Sequence, residues 1–237
     1  MKRRAIFAMV AVACGVAARA DFSFVQTSRQ GATVVTTKEY FKGQRMRIEN
    51  GGVTTILNMA SRTVTLIHNS TRTFVISKMD PVDSTPARAL AGVKTKMDVR
   101  ETSEHKTVGG HDARKVVVNL DVDQAGPSTP VKAHIECELW MANVPGYAAM
   151  RGIQQKAGNL LGGISPAAPT GLSVAELRRT LEKMGGVPVL QIVRIQTPAS
   201  KVPIEVSTEM SDFSSAVLPV ALFVPPQGYR DLGKPAP

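Results

Sequence analysis

The most regular pattern in the chain is an alternation of apolar and polar residues between Tyr40 and Met79. Met46 and Ile48 alternate with charged neighbours, which produces one apolar and one charged face at the period of two that is typical of strands. Because short connections join antiparallel neighbours, the segment predicts a β-meander. The turn-like stretches that separate its strands are 50–52, 60–62 and 69–71.

Strand-like patterns recur through much of the remaining chain. β-branched and aromatic residues dominate them, as a half-buried pleated surface favours. A further strand is expected around 95–101, whereas 219–232, with its Pro225-Pro226 pair, predicts an irregular edge segment. About ten or eleven strands result, and a sheet of that size tends to curl. The clearest strands outside the meander are 21–29, 32–41, 115–122, 131–141, 188–196 and 203–213.

Two stretches have the 3.6-residue apolar spacing that is typical of helices. The first is 146–161. The second begins at Ser173, which forms a capping box with Glu176, and ends at Gly185. Strands, a helical insertion and further strands predict an α+β fold. We expect a large curved antiparallel sheet, an incomplete β-barrel, with helices covering its concave face.

The first twenty residues have the three parts of an export signal. Lys2 to Arg4 are basic, 5–16 are apolar, and Ala18-Arg19-Ala20 is a small-residue cleavage site. The apolar part is too short to cross a bilayer core of roughly 30 Å. We therefore expect a cleaved signal peptide at 1–20, a periplasmic protein, and no transmembrane span after cleavage.

Two alternatives for export stay open. The Arg3-Arg4 pair is compatible with twin-arginine export. Cys14 lies in a weak lipoprotein box, so lipoprotein anchoring is the minor alternative. In either case the mature chain is long enough for one core, and we expect a single domain at 21–237 with a helical insertion at about 146–184.

The charge balance argues against one class of partner. The leader contributes four basic residues and no acidic one, so its removal lowers the formal charge from +10 to +6. No run of more than two Lys or Arg residues remains, and aromatic residues are scarce. A nucleic-acid site clusters both types on one face, so we predict no nucleic-acid partner.

The sequence predicts no catalytic residues, metal or cofactor. The histidines His68, His105, His111 and His134 lack the spacing of a zinc site, although His105 and His111 could meet across a hairpin. No nucleophile elbow or phosphate-binding glycine loop is present. Cys137 alternates in phase with apolar residues and is predicted to be an inert core thiol.

One polar row remains as a chemical candidate. Glu136 and Glu138 lie on one face of a strand with His134 and Trp140, since successive side chains alternate. Two carboxylates on one face can perform acid–base work or hold a cation. The alternative is a solvated face whose glutamates pair with Lys and Arg across the sheet.

The apolar inner face of the meander is the candidate ligand-binding site. Methionine adapts to irregular apolar ligands, which suits a lipid or acyl chain. The alternative is ordinary packing against the predicted helices. The candidate residues are Met46, Ile48, Leu57, Met59, Leu66, Phe74 and Ile76.

Several segments together resemble a periplasmic domain-of-unknown-function family whose fold is similar to the Lol-type lipoprotein carriers. The resemblance implies an incomplete β-barrel closed by helices, a periplasmic location and a lipophilic ligand. It implies no catalytic residues. The segments that carry it are 40–47, 108–115, 138–142, 185–189 and 223–229.

Three functions follow as hypotheses. The first is a non-catalytic exported protein that binds a lipid or another apolar ligand, or an envelope protein partner. The second is a structural or protein-interaction module of the cell envelope with a filled core. The third, an unidentified envelope enzyme, has the least support from the residues.

Overall fold

The structure is a computed structural model that describes residues 21–79, 93–124, 131–147, 150, 183–200 and 202–233. Within these residues the chain forms twelve strands of a single sheet. A 3₁₀-helix, Val220–Phe223, precedes the last strand. The strands are β1 (Phe22–Gln30), β2 (Thr33–Lys42), β3 (Arg45–Asn50), β4 (Val53–Asn58), β5 (Thr63–His68), β6 (Thr73–Lys78), β7 (Val93–Val108), β8 (His111–Gln124), β9 (Val131–Ala142), β10 (Val187–Gln196), β11 (Ile204–Ser214) and β12 (Arg230–Asp231).

The sheet order follows the chain in two runs. From one edge it is β12-β6-β5-β4-β3-β2-β1-β11-β10-β9-β8-β7. All neighbours are antiparallel except β12, which pairs in parallel with β6. The meander predicted between Tyr40 and Met79 is confirmed as β2 to β6, because tight turns at Gly51 and Arg62 join consecutive hairpins.

The predicted α+β class is wrong. The structure is nearly all β, with 67% of it in strands, and it forms one large open sheet rather than a sheet covered by helices. The strand expected around 95–101 is present but longer, since β7 has sixteen residues. Most of the helical insertion predicted at 146–184 lies outside the described residues, as do the capping box at Ser173 and the signal peptide at 1–20.

The sheet is strongly curved at the β7–β8 turn. Three strands lie between β7 and β11, so on a flat sheet these two strands would be roughly 15 Å or more apart. Nevertheless, a Cβ added to Gly109 would lie 2.8 Å from the Met210 carbonyl oxygen, and the His111 ring packs on Phe213 with 5.2 Å between centroids. Gly109 has a φ of 55°, so a side chain there would be strained as well as crowded.

Aromatic residues fill the core where β1 meets its neighbours. Phe22, Phe24 and Phe41 are at most 2% exposed, and the Phe24 and Phe41 rings stack 6.0 Å apart. Phe213 joins them from β11. A second apolar cluster occupies β8 to β10, where Val116, Leu120 and other side chains are buried.

The C-terminal segment, residues 215–233, lies across the meander. Phe223 is buried against Ile56 and Ile67, and the Leu222 carbonyl accepts a 2.7 Å hydrogen bond from the Arg47 guanidinium. The segment ends as β12, where the Arg230 amide donates to the Arg72 carbonyl just before β6 and the Leu232 amide donates to the Phe74 carbonyl within it. The prediction of an edge segment at 219–232 is thus confirmed for its last residues.

Candidate functional site

The predicted ligand-binding residues divide between the two faces of the meander. Directly paired residues share a face of a sheet, and Met46 pairs with Leu57, which pairs with Val64. In the next row Ile48 pairs with Thr55, and Thr55 with Leu66. Met59 follows Leu57 at the same parity and packs on the same cluster. We call this surface the Met46 face; it bears Met46, Ile48, Leu57, Met59, Val64 and Leu66.

Phe74 and Ile76 lie on the opposite surface. Phe74 pairs with Ile67 and Ile76 with Thr65, and both partners belong to the rows of Thr54 and Ile56. Phe74 therefore packs with the cluster under the C-terminal segment. The structure thus brings five of the seven predicted residues together. We call the other surface the Ile56 face; it bears Tyr40, Arg47, Ile56, Ile67, Phe74 and Ile76.

The Met46 face changes from buried to open along its rows. Met46 and Leu57 are 7% and 0% exposed and belong to the aromatic cluster. Ile48, Met59 and Val64 pack against that cluster but stay half-buried. Leu66 is 38% exposed. An apolar surface of this kind offers a buried floor and an accessible rim.

The predicted polar row on β9 forms an ion-pair network across the sheet. The Arg194 guanidinium lies 2.7 Å from Glu136 and 3.6 Å from Glu138, and it also donates to Glu205. Lys115 lies 3.6 Å from Glu138 on the other side. Cross-strand pairing, the alternative given for this row from the sequence, accounts for both glutamates.

The ionisation of Glu138 follows from these neighbours. Burial opposes its negative charge, but the hydrogen bond from the Trp140 indole and the charges of Lys115 and Arg194 outweigh burial, so the pKa of Glu138 is lowered. Hydrogen bonds to Glu136 and Glu205 raise the pKa of Arg194. A carboxylate that is held ionised between two cations is a poor proton donor at neutral pH. The row therefore has the character of a structural network.

Cys137 has the environment predicted from its alternation. It is 7% exposed within the β8 to β10 cluster and makes no disulfide. Burial, and secondarily the Glu136 charge, raises the pKa of the thiol to about 11. Because the thiolate is the nucleophile, this cysteine is protected from reaction at neutral pH.

A cleft with both polar and apolar lining lies where the end of β7, the start of β8, the end of β9 and the start of β10 meet. Its volume is about 480 Å³, and His105, Asp112 and Asn143 line it with backbone of Gly185 and Gly186. Arg114 on its wall donates to Glu101 and to the Met184 carbonyl. His105 contacts Asp112 at 3.5 Å, whereas His111 packs on Phe213.

The described residues contain neither a cluster of metal-ligating side chains nor a helix that could span a membrane. Among the described residues, no three His, Cys, Asp or Glu side chains are grouped to hold a metal ion. Over the same residues, no helix has the length and apolar character to cross a bilayer.

Sequence reasoning missed the role of the C-terminal segment. Phe223, Leu222 and Tyr229 cover the Ile56 face, and Asp21 fastens the start of this segment through its bond to the Leu218 amide. The available signal was the uncharged, apolar stretch at 215–229. Such a stretch indicates burial but does not identify the surface that buries it.

Comparison with known proteins did not assign the chain to a family. No family model matches it, and no curated protein gave a significant match. The resemblance drawn from the sequence therefore stays a prediction.

Proposed function

We propose that the chain is an exported, non-catalytic periplasmic protein that binds an apolar ligand, a lipid or its acyl chain, on the Met46 face. The observation that carries the proposal is the gradient of exposure on that face. Met46 and Leu57 are packed, Ile48 and Met59 are half-buried, and Leu66 is open. An acyl chain laid across these residues would cover the accessible rim and contact the buried floor.

The state of the polar groups supports binding over catalysis. Glu136 and Glu138 are paired with Arg194 and Lys115, and the Cys137 thiol is buried with a raised pKa. Catalytic acids, bases and nucleophiles need accessible groups whose pKa values suit their task. The Cys137 thiol has neither property, and Glu138, whose pKa is lowered, lies between two cations.

The second candidate is a structural or protein-interaction module of the envelope with a filled core. The packing of Met46 and Leu57 against Phe22, Phe24 and Phe41 favours it, because the chain itself already fills this part of the face. The two candidates make different predictions for Ile48, Met59 and Leu66. A bound ligand would cover these side chains, whereas a module with a filled core does not require them to be covered.

Uptake of a fluorescent apolar dye tests the proposal. Leu66→Arg places a charge on the rim of the Met46 face, and Met59→Arg places one beside its floor. Burying a charge against an apolar ligand is strongly unfavourable, so we expect each to weaken dye uptake on the order of ten-fold or more.

Ile76→Arg is the matched control. Ile76 lies on the adjacent strand, is 49% exposed and belongs to the Ile56 face, so its substitution should leave uptake unchanged. Circular dichroism checks that each variant folds. Equal uptake by Leu66→Arg and the unsubstituted protein, or equal loss in Ile76→Arg, would contradict binding on the Met46 face.

A further inference from the structure

Positive charge is concentrated in one half of the described structure. The meander half, residues 21–79 and 215–233, has nine Lys and Arg against four Asp and Glu, a net charge of +5. The other half comprises 93–124, 131–147, 183–200 and 202–214, with nine against eleven, a net charge of −2. Such an asymmetry directs the positive half towards an anionic partner.

The strand register places these basic residues on the Ile56 face. Lys42 pairs with Arg45, Arg45 with Asn58, and Thr63 with Lys78, which aligns three cations in one row of that face. Lys38 pairs with Val25, and Arg29 follows Val25 at the same parity. Every basic residue within β1 to β6 lies on this face: Arg29, Lys38, Lys42, Arg45, Arg47 and Lys78.

Within residues 21–79, two acidic groups pair with cations of this surface. Asp21 pairs with Lys42 at 2.6 Å, and Glu49 pairs with Arg47 at 2.8 Å. Arg29, Lys38 and Lys78 are exposed and make no salt bridge within the described residues. These three cations are therefore available to an external anion.

The C-terminal segment adds apolar groups to the same surface. Its inner side chains, such as Phe223, pack on the Ile56 face, whereas Val217, Val220 and Val224 are 86%, 56% and 47% exposed. From 215 to 229 the segment has no charged residue. Exposed apolar groups at this density mark an interaction site.

We propose that the Ile56 face, with the C-terminal segment across it, docks on the surface of an anionic lipid bilayer. The exposed valines would enter the headgroup region while Arg29, Lys38 and Lys78 contact anionic headgroups around them. Apolar insertion combined with basic attraction is the arrangement of peripheral membrane proteins. The proposal is independent of ligand binding, because the Met46 face is the opposite surface of the same strands.

Vesicle co-sedimentation tests it, using the chain from Asp21 to Pro237, which retains every described residue and lacks the apolar leader. We expect binding to vesicles of phosphatidylglycerol and phosphatidylcholine in equal parts, loss of binding at high salt, and little binding to phosphatidylcholine alone. Substituting Arg29, Lys38 and Lys78 together by Glu should weaken binding by 100-fold or more, on the order expected for three basic contacts. Val217→Asp with Val220→Asp should weaken it by roughly ten-fold.

Each change has a matched control in the other half. The control for the charge reversal replaces three exposed residues, Lys96, Arg100 and Lys183, by Glu and changes the net charge equally. The control for the apolar change is Val202→Asp with Ile204→Asp, which alters another exposed apolar pair. We expect each control to weaken binding by no more than about two-fold, because only the overall charge of the protein changes and not its docking face. No binding to anionic vesicles, equal loss in the controls, or a dimer formed through Val217 and Val220 in place of vesicle binding would overturn the proposal.

Discussion

Asp21 and Lys42 form an ion pair that fastens both ends of the described chain to the meander. The Asp21 carboxylate lies 2.6 Å from the Lys42 ammonium, and the same oxygen accepts a 2.7 Å hydrogen bond from the Leu218 amide. Asp21 is 8% exposed and Lys42 is 25% exposed. One carboxylate therefore connects β2, the start of β1 and the beginning of the C-terminal segment.

Asp21→Ala should destabilise the protein. The substitution removes the carboxylate that accepts from both the Lys42 ammonium and the Leu218 amide. Because both donors lose this partner, we expect the free energy of unfolding to fall by about 1–2 kcal/mol. Urea denaturation measures the change. Asp123→Ala, which removes an exposed pair with Lys132 at 3.9 Å, should cost less than about 0.5 kcal/mol. Equal effects of the two substitutions would refute a special role for Asp21.

Phe223→Ala should release the C-terminal segment from the Ile56 face. The ring is 5% exposed between Ile56 and Ile67, and truncating a buried Phe costs about 3–5 kcal/mol. If the segment detaches as a unit, proteolytic cleavage after residue 214 should also become faster in this variant. Val220→Ala, at a side chain that is 56% exposed, is the control and should change stability by less than about 0.5 kcal/mol. A mild effect of Phe223→Ala would show that this packing contributes little.

The buried thiol predicts a loss of stability at high pH. The pKa of Cys137 is raised to about 11 from 9.0, so the unfolded chain loses its thiol proton at a lower pH than the folded chain. The free energy of unfolding should therefore fall as the pH rises from about 9 to 11, by an amount on the order of 2 kcal/mol.

Cys137→Ala separates this contribution from that of the other groups that titrate in the same range. In the variant, the fall of the free energy of unfolding between about pH 9 and 11 should lack the part that is due to the thiol. Iodoacetamide at neutral pH should label the unsubstituted protein only after denaturation. Rapid labelling of the native protein would show that the thiol is accessible, and an unchanged slope in the variant would show that its pKa is not raised.

Glu138 predicts a loss of stability at low pH. Its pKa is lowered, so its contribution is present above the pKa of an unfolded glutamate and disappears as the pH falls through the lower folded value. Glu138→Gln should reduce stability at pH 7 by about 1 kcal/mol and flatten the acid side of the stability profile. Glu104→Gln is the control, since Glu104 is 58% exposed and contacts Lys115 at 3.2 Å. An unaltered acid profile in Glu138→Gln would contradict the role given to the network.

The alternation predicts the faces of a strand most securely where one of its faces is polar. In β3, Met46 and Ile48 alternate with charged residues, and both lie on the predicted surface. In β6, three consecutive residues are apolar: Phe74, Val75 and Ile76. An alternation of period two therefore does not decide which face of the sheet Phe74 and Ile76 occupy. Phe74 belongs to the Ile56 face because Phe223, about 150 residues later in the chain, covers it.

The fold class was harder to predict for a related reason. Helical spacing at 146–161 and 173–184 indicates local preference, while the sheet is determined by pairings between distant segments, such as β1 with β11. That pairing joins residues near 25 and 210, which no local pattern reveals. The polar row at Glu136 and Glu138 was predicted correctly as a row, and its partners could be given only by residue type.

Mass spectrometry of organic extracts of the purified protein tests the central claim, binding of an apolar ligand on the Met46 face, most directly. The protein is expressed from Met1, recovered from the periplasmic fraction in which the proposal places it, and extracted alongside Leu66→Arg and Ile76→Arg. We predict a stoichiometric lipid or acyl chain from the unsubstituted protein and from Ile76→Arg, and a strongly reduced amount from Leu66→Arg. Repeated recovery of no lipid from the unsubstituted protein, together with no uptake of an apolar dye, would contradict the account.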